Sequence, residues 1–270
     1  MDSKVTTYAV LGSTGNCGSA LIRNLLGKPQ SRVHAFCRNK KKLLRLIPEI
    51  ADSKQVEVFE GGMQDHDLLA ACIKNTRAVF MCISTNDNVP GCRLSQDSAI
   101  ALVKVMRELG YDKPDGGPNG PAPKLLLLSS GTIDPHLSKH LPSLLLWILK
   151  RSASHVYADL EKAEEFLRAQ ESWLTTIYIK PGALSVDKKR GYELSLTEQK
   201  DPVSYLDLSA GMIEAADDPE GRWDLKNISV NCGSTPAGFP DGTILCILMG
   251  LLRHYFPWTH AYLPMGMGPK

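Results

Sequence analysis

An open, doubly wound parallel α/β sheet is the fold class this chain predicts, on three observations. Short β-rich runs alternate with helical patterns through most of its 270 residues, the order that right-handed βαβ crossovers require. Three glycines, Gly12, Gly15 and Gly18, separate an apolar N-terminal stretch from the helical Ser19-Ala20-Leu21-Ile22, which reads as strand, tight turn and helix. The length would fit two small domains or one large unit, and no linker-like change in composition divides it. With 43% hydrophobic and 22% charged residues it has enough apolar side chain for a substantial core. Residues 1–270 are therefore expected to form one domain, with 185–202 and 234–270 adding a small region that covers a substrate.

Seven strands are expected, to within one. Tyr8-Ala9-Val10-Leu11 is the first, and the helix over 18–26 follows its glycine turn. Val33-His34-Ala35-Phe36-Cys37-Arg38 is the second, and the third runs over 56–60 ahead of a helix over 68–74. The fourth lies over 78–83, with a helix over 95–109 behind it. Prolines and glycines crowd residues 114–121, an exposed loop before the fifth strand over 124–128. A long helix over 153–170 leads to the sixth strand over 174–179. Ser204, followed three residues later by Asp207, forms a capping box that starts a helix over 205–216, and 228–231 is the last strand.

Composition excludes several function classes. Formal charge is +2 over 60 ionisable side chains, so nothing favours a nucleic-acid partner. Seven cysteines lack any C-x-x-C pairing, which suits buried thiols in a reducing compartment. The N-terminal residues lack the apolar core of a secretory signal, and a cytoplasmic location is the expectation. The most apolar late run, 244–252, is about half the roughly 20 residues that cross a bilayer, so no integral membrane segment is expected. The histidines show no metal-ligand spacing, and a Gly-x-Ser-x-Gly nucleophile elbow is absent. The runs at 144–149 and 245–258 are apolar nearly all round and must be covered by core packing, by a hydrophobic substrate beneath a lid, or by a homodimer or membrane-surface contact.

In an open parallel sheet, ligands gather beyond the carboxyl ends of the strands, where strand order reverses. The loops at 12–18, 61–67, 83–88, 129–134 and 180–184 should surround one cleft. Gly12-Ser13-Thr14-Gly15-Asn16-Cys17-Gly18 lets backbone N–H groups approach a pyrophosphate while the helix behind it adds its positive end. At the end of the second strand an NAD site wants a carboxylate, whereas a 2′-phosphate wants a guanidinium and nearby ammonium groups. Arg38 stands there with no acid beside it, and Lys41 lies in the basic run Lys40-Lys41-Lys42. NADP(H) is the expected cofactor.

The spacing Gly12-x-x-Gly15-x-x-Gly18, with Thr14 before the second glycine, resembles the short-chain dehydrogenase/reductase superfamily in its atypical, NmrA-like form. Leu127-Leu128-Ser129-Ser130, Ala163-Glu164-Glu165-Phe166-Leu167, Ile179-Lys180-Pro181-Gly182-Ala183-Leu184 and Val203-Ser204-Tyr205-Leu206-Asp207-Leu208 follow in order over about 200 residues and look like the same group. Leu208-Ser209-Ala210-Gly211 and Leu251-Leu252-Arg253-His254-Tyr255-Phe256-Pro257-Trp258 are similar to averufin-oxidase-like oxidoreductases of fungal aromatic polyketide pathways. The resemblance implies a Rossmann-type fold, with Met63 and Gln64 near the adenine and Ser84 and Thr85 near the nicotinamide-side ribose. It also implies catalysis by Ser129 or Ser130 at the end of the fifth strand and by a Tyr-x-x-x-Lys pair on the next long helix, where an ammonium lowers the tyrosine pKa.

Tyr157 is in place, but Glu161 occupies the lysine position and Lys162 comes one residue late, about 100° further round the helix. Tyr157 then either shapes the substrate site or belongs to the helix interior. His155 and Asp159 are four apart, so they form either a histidine base oriented by an acid or a surface cap and ion pair. Lys180 stands where the resemblance implies Arg-Pro-Gly, and its charge faces either the cofactor or a helix end. His136, His140 and Lys150 fall in a segment that the resemblance puts near the substrate wall. The reading that follows is an oxidoreductase using NADP(H) on a bulky, mostly apolar aromatic or polyketide-type molecule of secondary metabolism. A non-redox isomerase, dehydratase or cyclase with unconsumed cofactor, and an NADP-sensing regulator, are the alternatives.

Overall fold

A computed structural model describes residues 5–114, 120–266 and 268. The first four residues and most of the proline-glycine loop, 115–119, lie outside the described residues.

Eight strands form the main sheet. In chain order they are β1 (Thr6–Leu11), β2 (Ser31–Cys37), β3 (Val56–Glu60), β4 (Ala78–Met81), β5 (Lys124–Leu128), β6 (Thr176–Ile179), β8 (Tyr192–Ser195) and β10 (Asn227–Cys232). Two-residue strands β7 (Leu184–Ser185) and β9 (Val203–Ser204) pair beside it. The spatial order is β3-β2-β1-β4-β5-β6-β10-β8. The seven expected strands are all parallel, whereas β8 is an antiparallel edge on β10 that the sequence reading did not include. Order reverses between β1 and β4, and this is where an open sheet leaves a crevice beyond its strand ends.

The helices are α1 (Asn16–Leu26), α2 (Lys40–Leu46), α3 (His66–Ile73), α4 (Leu94–Glu108), α5 (Ser143–Ser152), α6 (Ser154–Arg168), α7 (Tyr205–Asp217) and α8 (Thr243–Tyr255). Side chains alternate across the sheet as the two-residue strand period dictates. Tyr8, Val10, Ala78 and Phe80 face α1 and α7, while Ala9, Leu11, Val79 and Met81 face α3, α4 and α6. Strands covered on both sides carry unbroken apolar runs, which is why they were legible as parallel strands.

Helix starts show their chemistry. Asn39 caps α2 by accepting from the Lys42 amide at 2.7 Å, and Asp65 caps α3 through Leu68. Half of the expected box at α7 is formed: the Ser204 hydroxyl accepts from the Asp207 amide at 3.0 Å, while the Asp207 carboxylate accepts from that hydroxyl at 2.7 Å and from the Arg190 and Gly191 amides instead of the Ser204 amide. The start of α4 has no local cap. Its Ser95 and Gln96 amides donate instead to the two carboxylate oxygens of Asp159 on α6, at 2.8 and 2.9 Å.

The two apolar runs belong to α5 and α8, which pack against each other. Gly250 permits this: a Cβ there would run into the Ser152 carbonyl oxygen. Asn88, buried behind β4, ties the pair to the body. It accepts from the His155 amide at 2.8 Å and donates to the Arg151 and Gly250 carbonyls. Their outer sides stay bare, with Leu144, Trp147, Ile244 and Leu248 all exposed, so core packing is not what covers them. Gly250→Ala should lower stability by about 2 kcal/mol, as overpacking of a backbone contact does. A thermal melt indistinguishable from the parent would show that α8 does not need this approach.

Candidate nucleotide and active site

The turn between β1 and α1 is built from backbone contacts that exclude side chains. Gly12 sits at φ +90°, and a Cβ on it would lie 2.7 Å from the Cys82 carbonyl oxygen beyond β4. A Cβ on Gly18 would strike the Gly12 carbonyl. Gly15, by contrast, meets only Gly12 and borders open space in front of α1. The first helical bond of α1 runs from the Ser19 amide to the Gly15 carbonyl at 2.9 Å, and the amides ahead of it carry the positive end of the helix dipole, so a diphosphate fits here.

That space is a cleft of about 1400 Å³ running over the ends of β1, β2, β3 and β4. Of the residues expected to hold a cofactor, Gly12, Thr14, Gly15, Arg38, Met63 and Ser84 line it. Others are turned elsewhere. The Ser13 hydroxyl donates to Val10 at 2.7 Å and its side chain is fully buried. The Cys17 thiol faces Met212 and receives the Cys82 thiol, each at 3.6 Å, while the Thr85 hydroxyl accepts from the Asp87 amide within its own turn. Gly18 is a packing glycine, and Asn16 hydrogen-bonds through its side chain to Tyr205.

Lys41 does not line the cleft, and its neighbour Lys42 does, a helix step being about 100°. Cleft-lining Glu60 is a further correction, because β2–β3 pairing brings its carboxylate opposite Cys37. It accepts from the Lys40 amide at 2.9 Å, so one of its oxygens is engaged with the start of α2. Cross-strand pairing carries that information and local sequence does not.

At the end of β5 the structure separates the two serines. Ser130 and Thr132 set their hydroxyls beside that of Tyr157. Burial pushes the Tyr157 phenol above its ordinary value near 10, and the hydroxyl contacts offset only part of this. Cys246 of α8 is an electrostatic neighbour of both Tyr157 and Tyr205, and its thiol reaches the Asn86 carbonyl at 3.4 Å. Glu161 and Lys162 are exposed on the outer side of α6, so neither serves Tyr157.

Ser129 is turned away from Tyr157. Its hydroxyl donates to Glu164 at 2.5 Å, and Lys180 donates to the same oxygen at 2.7 Å, all three side chains being buried. Glu164 and Lys180 border a separate depression with Asp134 and Asn227, outside the nucleotide cleft. The expected roles of Ser129 as substrate hydroxyl and Lys180 as cofactor ligand do not match this geometry. One residue of strand alternation divides Ser129 from Ser130.

His155 is likewise not oriented by Asp159, whose oxygens are taken by the α4 amides. Burial, helped by nearby His254, pushes the His155 pKa down, and its Nε2 is buried without a partner. A neutral imidazole wedged between α6 and α8 is a packing element. The cap and ion pair expected at a surface are replaced by a buried tertiary cap. No group of three or more histidine, cysteine or acidic side chains able to hold a metal occurs among the described residues.

A parallel sheet whose first turn bares helix amides to a cleft at its switch point defines a dinucleotide-binding Rossmann protein. The chain belongs to the NAD(P)H-binding family, whose profile matches residues 12–219. Similar proteins include oxidoreductase nsrR of Aspergillus novofumigatus, 55% identical over 264 residues and covering 98% of both chains. Oxidoreductase aflX of Aspergillus parasiticus is 42% identical over 263 residues, 97% of both. A short-chain dehydrogenase/reductase of wide type from Veillonella parvula, in complex with NADP, shares the fold with TM-score 0.64 and 20% identity over 87% of this chain and 99% of that one. The expected kinship with fungal oxidoreductases and the reductase-like fold is shown by these proteins.

Asp159→Ala strips two amides at the start of α4 of a buried acceptor and should cost about 2–3 kcal/mol. Chemical denaturation measures it, and a change comparable to that of an exposed site would remove Asp159 from this role.

Proposed function

We propose that this chain is an NADP(H)-dependent oxidoreductase of the atypical short-chain type, acting on a carbonyl or quinone of a bulky, mostly apolar aromatic molecule of fungal secondary metabolism. The observation that carries the cofactor choice is the pair Arg38 and Lys42 on the cleft wall at the end of β2. A guanidinium and an ammonium suit a 2′-phosphate, and Glu60 across from them has one oxygen engaged by a backbone amide. Thr14, Gly15 and the α1 amides would hold the diphosphate, with Met63 near the adenine. Bound there, the dinucleotide supplies or accepts a hydride.

The chain's own share is to place and protonate the substrate oxygen. Tyr157 is the candidate donor, and Ser130 and Thr132 orient its hydroxyl and would share the developing charge. The segment 185–202 lays Gln199 against Gly131 and Asp201 against Gly182, the loops after β5 and β6. Cys246 on α8 faces Tyr157 and Tyr205 from the other side. These contacts support a substrate-side cover built from 185–202 and 234–270. All seven cysteines are free, which suits a reducing compartment, and a cytoplasmic location belongs to the same proposal.

One observation favours a second reading. Among the described residues no ammonium stands beside Tyr157, and its pKa is raised rather than lowered, so a non-redox isomerase, dehydratase or cyclase that keeps its cofactor unchanged is the alternative. Turnover without change in NADPH absorbance distinguishes it.

Calorimetric titration should show NADP⁺ binding more tightly than NAD⁺. Arg38→Ala should weaken NADP⁺ by about 10–100-fold and leave NAD⁺ nearly unaffected, since charge-assisted bonds to one phosphate are lost. Equal losses for both nucleotides would remove the 2′-phosphate role. In kinetics, Tyr157→Phe should cut kcat by about 100-fold or more. Ser129→Ala should act mainly on stability, and a kcat loss equal to that of Tyr157→Phe would restore Ser129 to the site. Because the phenol stays protonated past its ordinary value near 10, a reduction rate that needs it as acid should show no falling limb from this group below that pH.

A further inference from the structure

The bare face of α5 and α8 continues into the 3-10 turn Pro257–Tyr262 that follows α8. Ile244, Leu248 and Tyr255 form one stripe along α8, and Leu144 and Trp147 stand beside them on α5. The turn carries the most protruding side chains, Trp258 at 70% and Tyr262 at 87% exposure. Apolar surface of this extent, spread over three consecutive packed pieces, marks a contact site.

Charge says what kind. No aspartate or glutamate occurs between residues 135 and 158 or between 242 and 270, the two segments that build the face, and the exposed Asp241 just ahead of α8 is the acid at its edge. Lys139 and Lys150 are exposed at its margin, and the Arg151 guanidinium lies 4.1 Å from the centre of the Trp147 ring. We propose that this face docks the protein on an anionic lipid surface. Trp258, Tyr262 and Ile244 enter the boundary between headgroups and acyl chains, and the lysines lie over the charged headgroups. No helix among the described residues is long and apolar enough to cross a membrane, so the attachment is peripheral.

A second copy of the chain suits this face less well. An isologous contact sets a patch against itself, which would bring the lysines of two such surfaces together with Asp241 at the edge of each as their carboxylate. A bound substrate could not cover it either, since the exposed stripe of α8 lies on the side opposite Gly250, which packs on Ser152.

The test is sedimentation of the full chain with vesicles of phosphatidylcholine alone and of phosphatidylcholine mixed with phosphatidylserine. Wild type should pellet with the mixed vesicles, far less with the neutral ones, and be released by salt. Lys139→Glu and Lys150→Glu should each weaken binding by about fivefold or more, as loss of one cation near the surface does. Ile244→Glu combined with Trp258→Glu should abolish it while the melting temperature holds, these sites being exposed. Wild-type Trp fluorescence should shift to the blue on adding mixed vesicles, a readout independent of any variant. Protein left in the supernatant with both vesicle types would overturn the proposal. So would vesicle binding indifferent to these substitutions, or a dimer in analytical ultracentrifugation that Ile244→Glu splits, which would make a second copy the occupant. None of these outcomes bears on the redox reading.

Discussion

Three backbone segments meet at a distance that only glycine allows, and the cleft exists because they do. The Gly12 carbonyl lies where a side chain on Gly18 would be, and Gly12 itself presses on the Cys82 carbonyl beyond β4. Together these contacts lock the start of α1 to the ends of β1 and β4, on either side of the strand-order switch. A substituent at either glycine would part the helix from the strands and withdraw its N-terminal end from the cleft. The Cys17, Cys82 and Met212 sulfurs fill the space just behind and extend the same lock to α7.

What the sequence revealed and what it hid divide along the range of the interactions. Parallel strands were legible because burial on both faces leaves unbroken apolar runs, and caps such as Ser204 were legible because their acceptor and donor lie three residues apart. Glu60 entered the cleft through strand pairing with β2, and Asp159 found its donors on α4, 63 and 64 positions away. Neither partner could be inferred from local spacing. Single steps along the chain matter as much: one residue separates Ser129, bonded to Glu164, from Ser130 beside Tyr157, and one separates Lys41 from the cleft-lining Lys42. The helices α5 and α8 escaped for a different reason, since an apolar run normally means burial and theirs is only half covered.

Asp159 also shows how a motif-like pair can mislead. At i and i+4 the histidine and the acid share a helix face, yet a buried carboxylate seeks the strongest donors within reach. Two amides at a helix start, carrying the positive end of its dipole, outbid a single imidazole that burial keeps neutral. The result fixes α4 against α6, so one wall of the nucleotide cleft is anchored by the helix that carries Tyr157.

That coupling matters for the chemistry proposed. A lysine beside a tyrosine stabilises the phenolate and makes the residue a ready proton relay, whereas here Ser130 and Thr132 offer only neutral donors. Each unit by which the phenol pKa exceeds that of the oxygen it protonates costs about 1.4 kcal/mol in the transfer. An alkoxide from an aliphatic ketone is so basic that it would take the proton regardless, but stabilising its charge before transfer would fall on two hydroxyls. A quinone reduced to the hydroquinone level spreads that charge over its own ring as a phenolate, whereas a reduced aryl ketone leaves a localised benzylic alkoxide. Such an anion is stabilised by its own ring before the proton arrives, which lessens the need for an ammonium, while burial of the Tyr157 phenol still makes the transfer itself uphill. For the proposed function, the missing lysine is thus a physical reason to favour a quinone over a simple ketone.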